Sequence, residues 1–124
     1  MPKIRHLAIK TKDPARLAKF YEDVFGMKVI NTEKSGAMYM SDGYLTLAIL
    51  KNRGEATPSG INHFGFQVDD LAETEKRIEA NGGKFFFDLG DERHGNFERK
   101  FKDPDGVIFD ISKHGWQGTD GYKK

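Results

Sequence analysis

The chain has no cysteine and no long apolar run, and it carries almost no net charge. Without cysteine it forms neither disulfides nor thiolate metal sites, which fits a reducing compartment. No segment approaches the 18 apolar residues that indicate a transmembrane helix, and the N-terminus lacks a signal-like apolar stretch. A net charge of +1 gives no indication of nucleic acid or an anionic membrane as a partner. We therefore expect a cytoplasmic protein without membrane or nucleic-acid partners.

An internal repeat is the most informative feature that the sequence does contain. Residues 4–26 and 61–83 align without a gap and are identical at seven positions, among them His6 and His63. Each repeat begins with an alternating apolar segment, which is typical of a strand. It continues with a segment that starts at an aspartate and carries an apolar stripe, which is typical of a helix. Such a repeat constrains the fold before any single residue does.

Three further strands are predicted in each repeat unit after the first strand and its helix, so the element order is βαβββ twice. Module one spans residues 3–50 and module two spans 61–113, and the polar segment 51–60 links them. Residues 114–124 are expected to form a tail that is loose beyond Trp116. The whole chain of 124 residues suits a single domain. The predicted fold is α+β, with paired βαβββ modules forming a cup-shaped mixed sheet and the helices outside.

The alternation along the strands predicts which side chains line the cup, the face of the sheet opposite to the helices. His6 and His63 take this face in their strands, and Asp110 takes it in the last strand. Each module ends with an Asp-Gly turn and a strand, and alignment of the two turns pairs Leu47 with Asp110. The predicted substrate pocket consists of Leu45, Leu47, Ile49 and Ile108, with Tyr39 as a candidate hydrogen-bond donor or packing residue.

His6, His63 and Asp110 together predict a metal site. A lone strand histidine is more often a hydrogen-bonded core or surface residue, and a lone strand aspartate can simply be solvated. Here, however, the duplication relates the two histidines and places Asp110 at a third equivalent position. Two imidazoles and one carboxylate with open coordination positions suit Fe(II), and they also accept Mn, Ni, Co or Zn. We therefore expect one divalent metal ion per chain as the cofactor.

Three motifs resemble those of a known family. IRHLAI with the helix DPARLAKFYEDVFGMKV, then GINHFGFQVDDL and DPDGVIFDI, resemble the vicinal oxygen chelate superfamily over residues 3–113. This superfamily includes glyoxalase I, extradiol dioxygenases, fosfomycin-resistance proteins, methylmalonyl-CoA epimerases and bleomycin-resistance proteins. The resemblance implies a metal at His6, His63 and Asp110 that chelates two adjacent oxygens of a small-molecule substrate. Leu47 stands where glyoxalase I and the epimerases have a fourth ligand, and Asp110 stands where glutamate is usual.

The pattern of three ligands makes the predicted function most like that of an extradiol-type dioxygenase. The alternatives are a glyoxalase-like lyase or isomerase, a transferase like the fosfomycin-resistance proteins, and a non-catalytic drug- or metabolite-binding protein of the bleomycin-resistance type. His94, in the loop DERHGN, is a candidate general acid–base, with a solvated loop histidine as the alternative. We also expect a homodimer in which each cup combines the first module of one chain with the second module of the other.

Overall fold

The computed structural model describes residues 1–54, 58–91 and 97–123, and its elements follow the predicted order. The elements are β1 (Lys3–Thr11), α1 (Pro14–Phe25), β2 (Lys28–Thr32), β3 (Met38–Ser41), β4 (Thr46–Lys51), β5 (Gly60–Gln67), α2 (Leu71–Ala80), β6 (Lys84–Leu89), β7 (Glu98–Lys102) and β8 (Ile108–Ser112). Neither helix in the described part of the chain has the length and apolar character needed to cross a lipid bilayer.

Both helices begin at an aspartate, as the sequence predicts. The Asp13 carboxylate accepts a hydrogen bond from the backbone N–H of Arg16, and Asp70 accepts one from that of Glu73. α1 ends at Gly26, whose φ of 71° lies in the left-handed region that glycine adopts without strain. The repeated helix starts place α1 and α2 at equivalent points of the two modules.

The eight described strands form one open mixed sheet in the order β2-β3-β4-β1-β5-β8-β7-β6. Within the modules, β1 pairs in parallel with β4, and β5 pairs in parallel with β8. Between the modules, β1 and β5 pair antiparallel at the centre of the sheet. This arrangement confirms the predicted α+β fold of paired βαβββ modules.

One chain closes its own cup. β1 and β5 of the same chain pair with each other. Each module therefore covers the exposed strand edge of the other within one chain. The expectation of a cup that combines modules from two chains is therefore wrong for this structure. The homodimer itself stays a prediction.

Two apolar clusters lie between the sheet and the helices, one in each module. The buried members of the first cluster are Ala18, Met40, Leu47 and Ile49. The buried members of the second cluster are Val68, Phe101 and Ile111. Each helix thus covers the outer face of its own module, which leaves the opposite face of the sheet to form the cup.

The structure corrects the predicted faces of β4. Leu47 and Ile49 are 6% and 0% exposed and belong to the cluster beneath α1. Thr46, Ala48 and Leu50 line the cup instead. The prediction placed the opposite set of residues in the cup, so it was out of register by one residue.

The physical reason is a difference in turn length between the modules. Ala8 pairs with Ala48 in module one, and its repeat partner Gly65 pairs with Asp110 in module two. Ala48, rather than Leu47, is therefore the equivalent of Asp110. Ala48 lies five residues after Gly43 of the first Asp-Gly turn, whereas Asp110 lies four residues after Gly106 of the second. A shift of one residue moves every side chain of a strand to the other face.

The C-terminal segment is packed against the sheet, contrary to the predicted loose tail. Trp116 is 8% exposed, Arg5 forms an ion pair with Asp120, and Gln67 Nε2 donates to the Gly121 carbonyl at 2.6 Å. The glycines that suggested a loose tail allow the backbone to approach closely, since a Cβ at Gly121 would lie 2.6 Å from Gln67 Oε1. This packing brings the Trp116 ring into the cup.

Alanine substitution at two adjacent positions tests the assigned faces of β4. Ile49 is fully buried beneath α1, so Ile49→Ala should lower the free energy of unfolding by about 2–5 kcal/mol. Leu50 is partly exposed in the cup, so Leu50→Ala should cost clearly less. Urea unfolding followed by circular dichroism measures both losses. A larger loss for Leu50→Ala would contradict the assignment.

Candidate metal centre

His6, His63 and Asp110 converge in the cup although they come from three different strands. They lie in β1, β5 and β8, which are neighbours at the centre of the sheet. The two histidine Nε2 atoms are 3.4 Å apart. Asp110 Oδ2 is 3.5 Å from His6 Nε2 and 3.4 Å from His63 Nε2. The three atoms therefore form a nearly equilateral triangle.

This triangle has the dimensions of a site for one metal ion. Two donors about 2.1 Å from one ion are about 3.0 Å apart at a right angle and about 3.4 Å apart at the tetrahedral angle. Asp110 is 0% exposed, and its Oδ2 has no hydrogen-bond partner among the described residues. A buried carboxylate oxygen without a partner is costly unless a ligand binds it. The three residues therefore fit a divalent cation.

Burial keeps both imidazoles neutral, which is the form that binds a metal. It lowers the pKa of His6 to about 3 and the pKa of His63 to about 3, and the nearby Lys100 ammonium acts in the same direction. His63 Nδ1 lies 2.7 Å from the side-chain oxygen of Asn62, which accepts a hydrogen bond when Nδ1 carries the imidazole proton. That hydrogen bond leaves the Nε2 lone pair of His63 directed toward the other two donors.

Lys100 of β7 lies against Asp110. Its Nζ donates to Asp110 Oδ1 at 2.7 Å, and the residue is only 6% exposed. Burial and the neighbouring Glu98 carboxylate raise the pKa of Asp110 to about 7, and Lys100 opposes this shift. The hairpin between β7 and β8 places Lys100 directly opposite Asp110. The sequence signal for this pair is the Asp-Pro-Asp-Gly turn at residues 103–106, because pairing residues outward from that turn places Lys100 opposite Asp110.

Glu98 and Trp116 complete the surroundings of His6. The Trp116 ring stacks on the His6 ring, with centroids 4.9 Å apart and planes 7° from parallel. Trp116 Nε1 donates to Glu98 Oε2, and that oxygen lies 3.6 Å from His6 Nε2. Gly65 leaves room for the indole, since a Cβ there would lie 2.7 Å from the Trp116 ring. Sequence reasoning missed both residues, because neither lies in the repeated segments.

A cavity of about 750 Å³ opens beside the two histidines. This volume lies within the range of small-molecule sites, which is about 300–1,000 Å³. The apolar part of its wall includes Ile30, Leu50, Phe86, Phe87, Leu89 and Ile108. Both modules contribute to this wall, so the cavity spans the junction between them.

The structure places two of the predicted pocket residues in the cavity wall, Tyr39 and Ile108. The Tyr39 hydroxyl donates to Glu33 Oε1 at 2.7 Å, and burial raises the pKa of Tyr39 above its usual value. His94 lies outside the described residues, so its role as a general acid–base stays a prediction.

The other three predicted pocket residues, Leu45, Leu47 and Ile49, are absent from the described lining of the cavity. Leu47 and Ile49 are turned toward α1 by the register of β4. Leu45 precedes β4, and its carbonyl accepts a hydrogen bond from Ser41. The predicted apolar wall from module one is therefore wrong for these residues.

The sequence signature of the Glyoxalase/Bleomycin resistance protein/Dioxygenase superfamily matches residues 3–111. The chain therefore belongs to this superfamily, the vicinal oxygen chelate proteins. Its members commonly use a divalent metal, and this chain has a candidate site for one at the His-His-Asp triangle.

Individual relatives differ in the activity that their names state. The chain is 29% identical over 123 residues to an Arabidopsis thaliana protein described as "Probable lactoylglutathione lyase, chloroplastic", covering 89% of this chain and 35% of that protein. Methylmalonyl-CoA epimerase from Streptomyces coelicolor superposes with a TM-score of 0.66 at 20% identity, covering 88% of this chain and 92% of the epimerase. The 2,3-dioxygenase LapB from Pseudomonas sp. KL28 superposes with a TM-score of 0.71 at 20% identity. The superposition covers 98% of this chain and 44% of LapB. The chain spans 35% to 55% of the length of the curated relatives it matches.

Metal binding should release a proton below neutral pH, because Asp110 must ionise while the histidines are already neutral. With pKa values of about 7 for Asp110 and about 3 for each histidine, roughly one proton per zinc ion should be released at pH 6 and far less at pH 8. Asp110→Asn should abolish most of the release at pH 6.

Calorimetry of zinc binding in buffers of different ionisation enthalpy measures this release. Release of about two protons at pH 6, retained in Asp110→Asn, would contradict the assignment, since the histidines would then be the groups that titrate.

Proposed function

We propose that this protein is a metal-dependent enzyme acting on a small molecule with two adjacent oxygens, most like an extradiol-type dioxygenase. The convergence of His6 Nε2, His63 Nε2 and Asp110 Oδ2 beside an open cavity carries the proposal. Two imidazoles and one carboxylate suit Fe(II), and the same donors accept Mn, Ni, Co or Zn. A divalent ion held there would act as a Lewis acid and as a template for two neighbouring substrate oxygens.

The position equivalent to Asp110 in module one supports a site with only three protein ligands. Ala48 occupies that position and lines the cavity, and its side chain has no donor atom. His6 and His63 also line the cavity, so the donor triangle faces the space that a substrate would enter. Three protein ligands leave coordination positions for a bidentate substrate.

The wall of the cavity favours a substrate with an apolar body. Phe86, Phe87 and Leu89 of β6 line it, and the ammonium of Lys100 is already paired with Asp110. An aromatic diol offers two adjacent oxygens together with an apolar ring that such a wall can contact. Together with the donor triangle, this apolar part of the wall supports a dioxygenase that acts on catechols.

A glyoxalase-like lyase is the second candidate. It is favoured by the Arabidopsis relative, whose name states lactoylglutathione lyase and whose alignment covers 89% of this chain. A lyase or isomerase of this type needs a group that moves a proton. Glu98, with Oε2 3.6 Å from His6 Nε2, is a carboxylate in reach of the site that could serve. A non-catalytic drug- or metabolite-binding protein is the third candidate and would need no metal.

The cytoplasmic location and the homodimer belong to the same proposal. β2 and β6 are the edge strands of the sheet, and edge strands are often covered by a partner. Light scattering of the purified protein gives the number of chains in the assembly.

Oxygen uptake with a panel of catechols tests the leading function. The protein is loaded with Fe(II) under nitrogen and then mixed with each catechol in air-saturated buffer. Consumption of O₂ in step with loss of a catechol is expected. His63→Ala should bind metal at least about 10–100-fold more weakly and should lose this activity, because it removes a donor.

His114→Ala is the matched control, since His114 Nδ1 lies 3.0 Å from the Lys123 carbonyl and outside the donor triangle. It should keep both metal affinity and activity. No O₂ uptake with any catechol, together with anaerobic isomerisation of adducts between thiols and 2-oxoaldehydes, would favour the lyase. Ligand binding by a protein that takes up no metal would favour the third candidate.

A further inference from the structure

We propose that Lys100 is a positioning residue that makes Asp110 a ligand through one oxygen only, so that the metal keeps an additional position for the substrate. The inference rests on the proposed function, because it assumes a metal at the donor triangle. It assigns a role to a buried ammonium that the ligand set alone does not explain.

The two oxygens of Asp110 have different partners. Oδ1 accepts a hydrogen bond from Lys100 Nζ at 2.7 Å. Oδ2 has no hydrogen-bond partner among the described residues and lies 3.4 to 3.5 Å from the two histidine Nε2 atoms. A hydrogen bond between two charged groups is strong and directional, so it fixes the rotation of the carboxylate. Asp110 therefore directs Oδ2 toward the metal position and keeps Oδ1 on the lysine.

Lys100 is itself held in place by its surroundings. It is 6% exposed and stands opposite Asp110 in the register of β7 and β8. Its Nζ lies 3.8 Å from Glu98 Oε1 and 5.8 Å from the centre of the Phe87 ring. Glu98 is fixed in turn by the indole N–H of Trp116. A network of this kind gives the ammonium one direction, which is toward Asp110 Oδ1.

The consequence for function is the number of positions left for the substrate. A carboxylate that binds through both oxygens occupies two coordination positions, and one that binds through a single oxygen occupies one. The two histidines each occupy one more. By holding Oδ1, Lys100 leaves one position more than a carboxylate binding through both oxygens would.

A simpler role for Lys100 is to neutralise the buried charge of Asp110 in the protein without metal. Both roles predict that removal of the ammonium destabilises the metal-free protein, since it leaves a buried carboxylate uncompensated. Only the positioning role predicts a change in how Asp110 binds the metal. The tests must therefore observe the coordination and not only the stability.

Infrared spectroscopy of the zinc-loaded protein observes the carboxylate directly. The spectrum of Asp110→Asn is subtracted from that of the wild type to isolate the Asp110 bands. A wide separation between the antisymmetric and symmetric stretches, as for a carboxylate bound through one oxygen, is expected. A narrow separation, as for binding through both oxygens, would overturn the proposal without any lysine variant.

Substitution of Lys100 tests its part in this coordination. Lys100→Met removes the donor at similar length, and it should weaken Co(II) binding about 10–100-fold and change the visible absorption of the bound Co(II). Lys100→Arg keeps a cationic donor and should retain more of the wild-type absorption. Lys102→Met is the control on the same strand, because the Lys102 ammonium lies 4.4 Å from the Phe86 ring centre and not against Asp110. Its Co(II) affinity and absorption should equal those of the wild type.

Two results for Lys100→Met would overturn the proposal: unchanged affinity and absorption, or lower stability with unchanged absorption. If the wild type binds neither zinc nor Co(II), both the proposed function and the role of Lys100 fail. If the wild type binds both and Lys100→Met is indistinguishable from it, only the role of Lys100 fails. Should Lys100→Met not fold, a narrow band separation in the infrared spectrum of the wild type still overturns the proposal, and a wide separation together with wild-type-like Co(II) absorption in Lys100→Arg supports it.

Discussion

The antiparallel pairing of β1 with β5 is the interaction on which the centre depends. It places His6 opposite Gly65 and Ala8 opposite His63, so the two repeated histidines lie next to each other across the junction of the modules. The parallel pairing of β5 with β8 then adds Asp110 beside Gly65. The side chains of a strand alternate between faces, so a slip of one residue at either pairing would turn a donor away from the cup.

The centre concentrates groups that are unfavourable to bury without a ligand. Two imidazoles are kept neutral by burial, and the fully buried Asp110 has one carboxylate oxygen without a hydrogen bond from any residue that the structure describes. Such strongly shifted groups cluster at functional sites, where a ligand offsets the cost of burial. Lys100 contributes a positive charge and Glu98 a negative charge to the same centre, and the cavity beside them has a volume in the range of small-molecule sites.

The fold and the convergence of the three donors could be predicted from the sequence, because an ungapped repeat relates His6 to His63. It was insufficient wherever the modules differ in length. One extra residue after the first Asp-Gly turn reversed the predicted faces of β4, so Leu47 was assigned to the cup instead of the core. Lys100 was missed because a charged strand is usually solvated, and only the hairpin register reveals its partner. Trp116 was missed because it lies outside the repeated segments, next to a glycine-rich stretch that suggested a loose tail.

Crystallography of the zinc-loaded protein with anomalous data tests the central claim most directly. One anomalous peak per chain is predicted, about 2.0–2.2 Å from His6 Nε2, His63 Nε2 and Asp110 Oδ2 of the same chain. No peak at that position under saturating zinc, or a peak bound by residues of two chains, would contradict it.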